Sequence, residues 1–553
     1  MGGYGSVVRF AICWIANFCQ QSIELEYIYI DSKSDSETAR SMNAIELSLF
    51  VSQLAAVCDE MGAVLRRAAF STNIKDRLDY SCAVFDPQGE LCAQAAHIPV
   101  HLGSMAFAMR ELVSLQDWSA GDMVIVNDPY LGGTHLPDVT VIAPVFVHAS
   151  CIGFVANRAH HADIGAHTPG SMPVSSSLEE EGLVIAPTHL LRAGVEVAEV
   201  FQRITDATAN PAQMQGDLAA QISANQSGVR QLAGMAATAG VNSYLAGLTA
   251  VNDYAARLAQ QALEQIPNGS YSFQDVMDDD GMGQQDIAIA VTVHVCDGDI
   301  EVDFDGTASQ VAGNINCPLS VAAAAVLYVF RCLMPAQTPA CAGSFRAIRL
   351  SAPQGCLVNA QRPAAVAAGN VETSSRIVDA VMGALAQALP EQMPAASQGT
   401  MNNLAMGARG DAECWDYYET IGGGCGAGSQ HDGLSAIQSH MTNTLNTPVE
   451  VLELNFPVRV NRYQVRHDSG GAGRQRGGDG LIREFHFLAP ASVTLLTERR
   501  LHAPWGLAGG DSGACGENLL GAKRLPAKAS IRVAGGECLT VYTPGGGGWG
   551  TPP

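Results

Sequence analysis

Two short apolar segments, each followed closely by residues of the kinds that bind metals, constrain this chain more than any other feature of its sequence. Residues 122–126 have the length and composition of a buried strand, and turn-forming residues at 127–133 end it. His135 and Asp138 follow, with Pro137 between them. Because proline forbids an interior helical turn and stiffens the backbone, we expect both side chains on a loop beyond the end of a strand.

The second apolar segment, residues 151–156, ends shortly before His160. If the two predicted strands are neighbours, their following loops open at the same sheet edge, and His160 can complete a three-ligand site with His135 and Asp138. Two imidazoles and one carboxylate suit zinc, manganese or iron, and three protein ligands leave positions for water or substrate. The alternative is that these side chains cap helices or bind backbone amides, which spacing alone does not exclude.

Further polar residues lie close to these segments in the sequence. His161 and Asp163 are predicted to orient ligands or move protons, and Asp128, directly after the first strand, to orient a ligand histidine. Cys425, inside a glycine-rich stretch, is a candidate nucleophile, although a tight turn with a small side chain is the commoner reason for such a pattern.

The composition excludes several classes of partner and chemistry. With 31 Lys and Arg against 54 Asp and Glu, the net charge is -23, which argues against a nucleic-acid or anionic membrane partner. The 15 cysteines contain no C-x-x-C pair, which is typical of reduced thiols and favours a cytoplasmic location. The sequence lacks the common nucleotide-binding loops and the G-x-S-x-G nucleophile elbow.

The periodicity of apolar residues predicts an α+β fold: a large mixed body with a metal-bearing N-terminal region, central helices and a β-rich C-terminal region. Helices are predicted at 44–67, 206–263 (one or two long helices), 317–334 and 374–389, and strands at 287–295, 300–304 and repeatedly after 449. The predicted regions are 43–270, 271–448 and 449–553, together one unit.

Residues 1–42 differ from the rest and form a predicted N-terminal extension. Their apolar stretch, residues 7–19, is too short to span a bilayer and is followed by an acidic, serine-rich segment. We interpret the extension as a dispensable tail, or as sequence upstream of a natural start at Met42. A membrane anchor is the alternative.

Long segments from residue 43 onward carry a family resemblance. They occur in order at 76–82, 99–105, 121–139, 157–165, 369–374, 399–403, 417–424, 439–453, 468–474, 495–500 and 543–550. Together they resemble the B subunit of the ATP-dependent hydantoinase and oxoprolinase family, whose relatives include subunits of acetone and acetophenone carboxylases.

The resemblance implies a divalent metal (zinc, manganese or iron) held by His135, Asp138 and His160. On the same ground His101 and Asp79 are a proton carrier and its orienter, or else a hydrogen-bonded structural pair. The implied partner is a hydantoinase A-type subunit that uses ATP and magnesium, in a hetero-oligomer with paired copies.

The implied reaction divides the chemistry between two subunits. The partner phosphorylates a carbonyl or enol oxygen of the substrate, and this chain opens the activated cyclic amide with water that the metal activates. Carboxylation of a ketone is the enzymatic alternative, and a non-catalytic scaffold for the A-type partner is the third possibility. Neither the substrate nor the choice of metal can be read from single residues.

Overall fold

The computed structural model describes residues 42–95, 98–410 and 414–553. Apart from Met42, the predicted N-terminal extension lies outside the described residues. Helices make up 32% and strands 27% of the chain, which confirms the α+β class.

The predicted long helices and the predicted strands are all present, with ends shifted by a few residues. The helices are α1 (Ala44–Ala68), α2 (Thr72–Lys75), α3 (Pro99–Ser114), α4 (Ala198–Asp206), α5 (Pro211–Ala239), α6 (Val241–Leu263), α7 (Leu319–Leu333), α8 (Ser374–Leu385) and α9 (Val449–Asn455). The strands are β1 (Tyr80–Phe85), β2 (Leu91–Ala95), β3 (Met123–Val126), β4 (Asp138–Val147), β5 (Ser150–His160), β6 (Thr188–Arg192), β7 (Val195–Glu196), β8 (Gly269–Asp279), β9 (Gln285–Cys296), β10 (Asp299–Asp303), β11 (Ile348–Ser351), β12 (Asn403–Arg409), β13 (Cys414–Glu419), β14 (Val458–Arg466), β15 (Gly480–Phe487), β16 (Ala491–Leu496), β17 (Glu517–Leu520), β18 (Lys523–Leu525), β19 (Lys528–Val533) and β20 (Cys538–Tyr542).

The first sheet has the strand order β2-β1-β5-β4-β3-β6-β7 and is covered on both faces. Helices α1 and α5 bury one face, and α3 covers the other. Helix α1 begins at a capping box, in which Asn43 and Glu46 each accept a hydrogen bond from the other's backbone N–H. Among the described helices, α1 alone is long and apolar enough to cross a bilayer, yet its Leu54, Met61 and Leu65 are fully buried in the core it shares with α5.

The second sheet, with the order β11-β10-β9-β8, packs against α7 and α8. Alternate residues of β9 are buried, as expected for a strand with one face on a core. Helix α3 also contacts α7, where Gly103 lies against the backbone of Ala324 without room for a side chain. The first two sheets are therefore joined through a helical layer.

The third and fourth sheets enclose a separate core in the C-terminal half. Their strand orders are β13-β12-β16-β19 and β14-β15-β20-β17-β18, and both contribute to one apolar cluster that includes Leu404, Leu495, Phe485 and Leu539. The predicted boundary at residue 448 cuts across the third sheet, because β12 pairs with β16. Residues 403–419 thus pack with the C-terminal region instead of the central one.

Candidate metal centre

Asp138 and His160 face each other at one end of a long antiparallel hairpin. Asp138 is the first residue of β4, His160 is the last residue of β5, and the two are directly paired. The expectation that both follow strands on loops is therefore wrong, and β4 separates β3 from β5. The predicted meeting with His135 is nevertheless confirmed, since His135 lies three residues before the start of β4 and its ring reaches the same point.

Three donor atoms form a nearly equilateral triangle. His135 Nε2 lies 3.3 Å from Asp138 Oδ1 and 3.3 Å from His160 Nδ1, and His160 Nδ1 lies 3.4 Å from the same oxygen. All three residues are at most 2% exposed, so the triangle is shielded from bulk solvent. Among the described residues, this is the one group of three or more His, Cys, Asp or Glu side chains whose donor atoms all lie within 4.8 Å of one another.

The two oxygens of Asp138 have different environments. Oδ2 accepts hydrogen bonds from Thr134 Oγ1 at 2.5 Å, His101 Nε2 at 3.2 Å and Asn370 Nδ2 at 3.4 Å. Oδ1, which faces the two imidazoles, is buried with no hydrogen-bond partner among the described residues. Burial opposes ionisation, yet His135 and His101 hold the pKa of Asp138 well below its usual range.

Both histidine rings are held in place by contacts outside the triangle. Nδ1 of His135 lies 3.2 Å from the carbonyl oxygen of Ala367, which can only accept, so the proton belongs on Nδ1 and the Nε2 lone pair faces the triangle. The ring of His160 stacks on Tyr418, with centroids 4.6 Å apart and planes 7° apart. Burial lowers the pKa of His160, which favours the neutral ring that a metal requires. For His135 burial acts in the same direction, but the neighbouring Asp138 raises its pKa overall.

These donors fit a divalent cation. Tetrahedral zinc with bonds of about 2.0–2.1 Å keeps its ligand atoms about 3.3 Å apart, which is the spacing of the triangle. A buried carboxylate oxygen without a hydrogen bond is costly unless a cation compensates it. The donor chemistry, the spacing and the unpaired oxygen therefore agree with the predicted ligand set.

His101 and Asp79 both lie beside the triangle. His101 bridges Asp138 Oδ2 and Ser81 Oγ, which is 3.1 Å from its Nδ1. Asp79 Oδ2 is 4.0 Å from His160 Nδ1 and 3.9 Å from Arg77. The described hydrogen bonds include none between His101 and Asp79, and each residue contacts a different member of the triangle. Their catalytic roles stay predictions.

His161 and Asp163 make their hydrogen bonds elsewhere. His161 Nε2 lies 3.0 Å from Gln221 Oε1 on α5, and Asp163 accepts from the backbone of Gly165 and Ala209. These contacts connect His161 to α5 and Asp163 to neighbouring loops, and the roles predicted for both, orienting ligands or moving protons, stay predictions.

Asp128 and Cys425, two further predicted site residues, also make their described contacts with groups other than the triangle histidines. Asp128 caps the turn at Tyr130 and forms an ion pair with Arg362, and its described contacts include no hydrogen bond to a histidine of the triangle. The predicted orienting role is instead taken by the Ala367 carbonyl. Burial raises the pKa of the Cys425 thiol to about 12, so this cysteine is a poor nucleophile at neutral pH.

Sequence reasoning missed Thr134, Asn370 and Tyr418 as residues around the triangle. Asn370 and Tyr418 lie in the segments 369–374 and 417–424 that carried the family resemblance. Asn370 belongs to a π-helical turn, Gly369–Thr373, immediately before α8, and such turns are frequent at functional sites.

Comparison with known proteins gives consistent matches along the chain. The family model described as Hydantoinase B/oxoprolinase matches residues 43–552. The chain is 38% identical to 5-oxoprolinase 1 of Arabidopsis thaliana over 92% of its own length and 42% of the relative's. It is 30% identical to a Pseudomonas protein named as the B component of a D-/L-hydantoinase, over 93% of this chain and 91% of the relative. This chain spans only 42% of the length of several other curated relatives that it matches, 5-oxoprolinase 1 among them.

Two solved structures share the fold. The ATP-dependent caprolactamase from Pseudomonas jessenii has a TM-score of 0.87 at 27% identity, covering 93% of this chain and 92% of that one. A nucleotide-free acetone carboxylase has a TM-score of 0.83 at 17% identity, covering 91% of this chain and 75% of that one. The second likeness shows the fold alone.

Proposed function

Because this chain belongs to the hydantoinase B/oxoprolinase family, we propose that it is the metal-dependent component of an ATP-dependent enzyme that opens a cyclic amide. The observation that carries the proposal is the buried triangle of His135, Asp138 and His160, in which Asp138 Oδ1 has no hydrogen bond from any described residue. The relatives named as oxoprolinases and the caprolactamase support an amide substrate.

The residues of this chain would each contribute a defined step. A divalent cation held by the triangle would polarise a carbonyl oxygen or lower the pKa of water. His101 holds a proton at Nε2 against Asp138 and keeps that carboxylate in one orientation. All three triangle residues are buried, which would keep bulk water away from an activated substrate bound there.

The use of ATP is assigned to a partner. The sequence has no common nucleotide-binding loop, and the relative from Pseudomonas is named as one component of a hydantoinase. We propose that an A-type partner chain takes up ATP and magnesium and phosphorylates the amide oxygen, and that the two chains form a hetero-oligomer. In the longer relatives, the part of the chain beyond this match is the candidate for that activity.

Elemental analysis of the purified chain tests the metal. We expect about one equivalent of zinc, manganese or iron in the wild type and almost none in the double variant His135→Ala, His160→Ala. His294→Ala is the matched control, because His294 bonds Ser270 on the outer face of the second sheet. Absence of metal from the wild type after reconstitution would overturn the proposed metal site.

The reaction is tested with the A-type partner present. We expect ATP hydrolysis coupled to ring opening of 5-oxoproline, a hydantoin or caprolactam, lost in the double variant. A strict requirement for bicarbonate with a ketone substrate would indicate carboxylation instead. Full activity of the metal-free double variant would indicate a scaffold.

A further inference from the structure

A short helical turn is hydrogen-bonded to the chain segment whose backbone and side chains contact His135 and Asp138. The turn is the 3-10 helix Leu178–Glu181. Leu178 N donates to the carbonyl oxygen of Pro363 at 3.0 Å. Glu181 Oε1 accepts from the backbone N–H groups of Val366 and Ala367, both at 2.9 Å. Three hydrogen bonds therefore fix residues 363–367 to this turn.

The same segment supplies two contacts to the triangle. Ala367, whose N–H is held by Glu181, presents its own carbonyl oxygen to His135 Nδ1 at 3.2 Å. Three residues later, Asn370 donates to Asp138 Oδ2 at 3.4 Å. The position of residues 366–370 thus determines the tautomer and direction of one ligand and the orientation of another.

Glu181 itself is buried and unusually placed. It is 0% exposed, and its Oε1 also accepts from Ser175 Oγ at 2.8 Å, while Oε2 has no hydrogen-bond partner among the described residues. Burial raises the pKa of Glu181 to about 7. The three hydrogen bonds to Oε1 offset part of this desolvation cost and tie the side chain to residues 366–367.

We propose that Glu181 is a positioning residue of the metal centre, which clamps residues 366–367 so that the Ala367 carbonyl and Asn370 orient His135 and Asp138. This inference rests on the proposed function, because it assigns Glu181 to the cation held by the triangle.

Metal affinity of four variants tests the clamp. Zinc or manganese binding is measured by competition with a chromophoric chelator, and the thermal midpoint of the metal-free chain is measured in parallel. We expect Glu181→Ala to weaken binding about 10- to 100-fold, the range for partners that orient metal ligands. Glu179→Ala, in the same turn but exposed, should leave both quantities unchanged.

Two conservative variants separate the hydrogen bonds from the charge. In Glu181→Gln the amide oxygen can still accept from all three donors, so affinity should stay within about threefold of the wild type. In Glu181→Asp the carboxylate is one methylene shorter and cannot reach them, so affinity should fall as in Glu181→Ala. This pair decides the question if Glu181→Ala does not fold.

Wild-type affinity in both Glu181→Ala and Glu181→Asp would overturn the clamp while leaving the metal site intact. Tight binding by Glu181→Asp with weak binding by Glu181→Gln would also overturn it, since charge alone would then matter. Absence of metal from the wild type would overturn the proposed function and this inference with it.

Discussion

At the scale of single residues, the geometry of the metal centre depends on a difference between the two carboxylate oxygens of Asp138: Oδ2 accepts hydrogen bonds from the described residues and Oδ1 does not. Three donors from three parts of the chain converge on Oδ2, so the carboxylate cannot rotate without losing hydrogen bonds. Oδ1 is thereby left facing His135 and His160. The donors to Oδ2 therefore set the direction of the free oxygen, although none of them belongs to the triangle.

His101→Ala tests this dependence. Removing the imidazole takes away one of the three donors to Asp138 Oδ2, and we expect metal affinity to fall about 10- to 100-fold. The measurement is chelator competition on the purified chain. His161→Ala is the matched control, because His161 bonds Gln221 on α5: it should lower the thermal midpoint and leave metal affinity unchanged. Equal affinities in His101→Ala and wild type would contradict the expectation.

The sequence analysis named the triangle and, as a proton carrier, His101, but it missed Thr134, Asn370 and Tyr418. Residue types, and the resemblance, were sufficient for His135, Asp138 and His160. Adjacent residues of an extended chain point to opposite sides, so His161 faces α5 although it follows His160 directly. Asn370 and Tyr418 come from segments more than 200 residues away, and their contacts depend on packing that periodicity does not encode.

At the scale of elements, the glycine-rich segments of the C-terminal half pack side by side through backbone hydrogen bonds, outside the regular strands. Gly546 N donates to Gly478 O, Gly478 N donates to Cys425 O, and Gly471 N donates to Gly546 O, at 2.8–2.9 Å. The backbones approach so closely that a Cβ on Gly546 would overlap the carbonyl of Cys425. Here glycine allows backbone segments of the same chain to lie in direct contact, whereas the sequence analysis considered a tight turn as the reason for the glycine-rich stretch around Cys425.

Gly546→Ala should therefore destabilise the protein. The added methyl group meets backbone atoms that cannot move as a side chain would, and we expect a loss of about 3 kcal/mol or more in the free energy of unfolding. Denaturant unfolding measures the loss. Gly428→Ala is the control, since a Cβ there meets nothing within 4 Å. A loss of equal size in both variants would show that backbone freedom, and not the close approach, requires glycine.

At the scale of the whole molecule, the centre lies where separate sheets meet. His160 and Asp138 belong to the first sheet, Asn370 leads into α8 beside the second sheet, and Tyr418 belongs to β13 of the third. Arg77, just before β1, donates to the Tyr418 carbonyl and stacks on its ring at 4.8 Å. Regions that the sequence predicted as consecutive units thus share one site, because Tyr418 of the third sheet packs against His160 and Arg77 of the N-terminal region.

This arrangement predicts how metal affects the molecule as a whole. Ligand present at about 1,000 times its Kd stabilises a binding site by about 4 kcal/mol, and the contacts of this site span three sheets. Adding metal to the stripped chain should therefore slow amide hydrogen exchange in residues 134–140, 158–161, 365–373 and 415–420 together, while β14 and β15 change little. Protection confined to residues 134–161 would mean that Asn370 and Tyr418 are only neighbours of the centre. The double variant His135→Ala, His160→Ala, treated in the same way, should show no added protection in any segment, which separates binding at the triangle from metal bound elsewhere on an acidic surface.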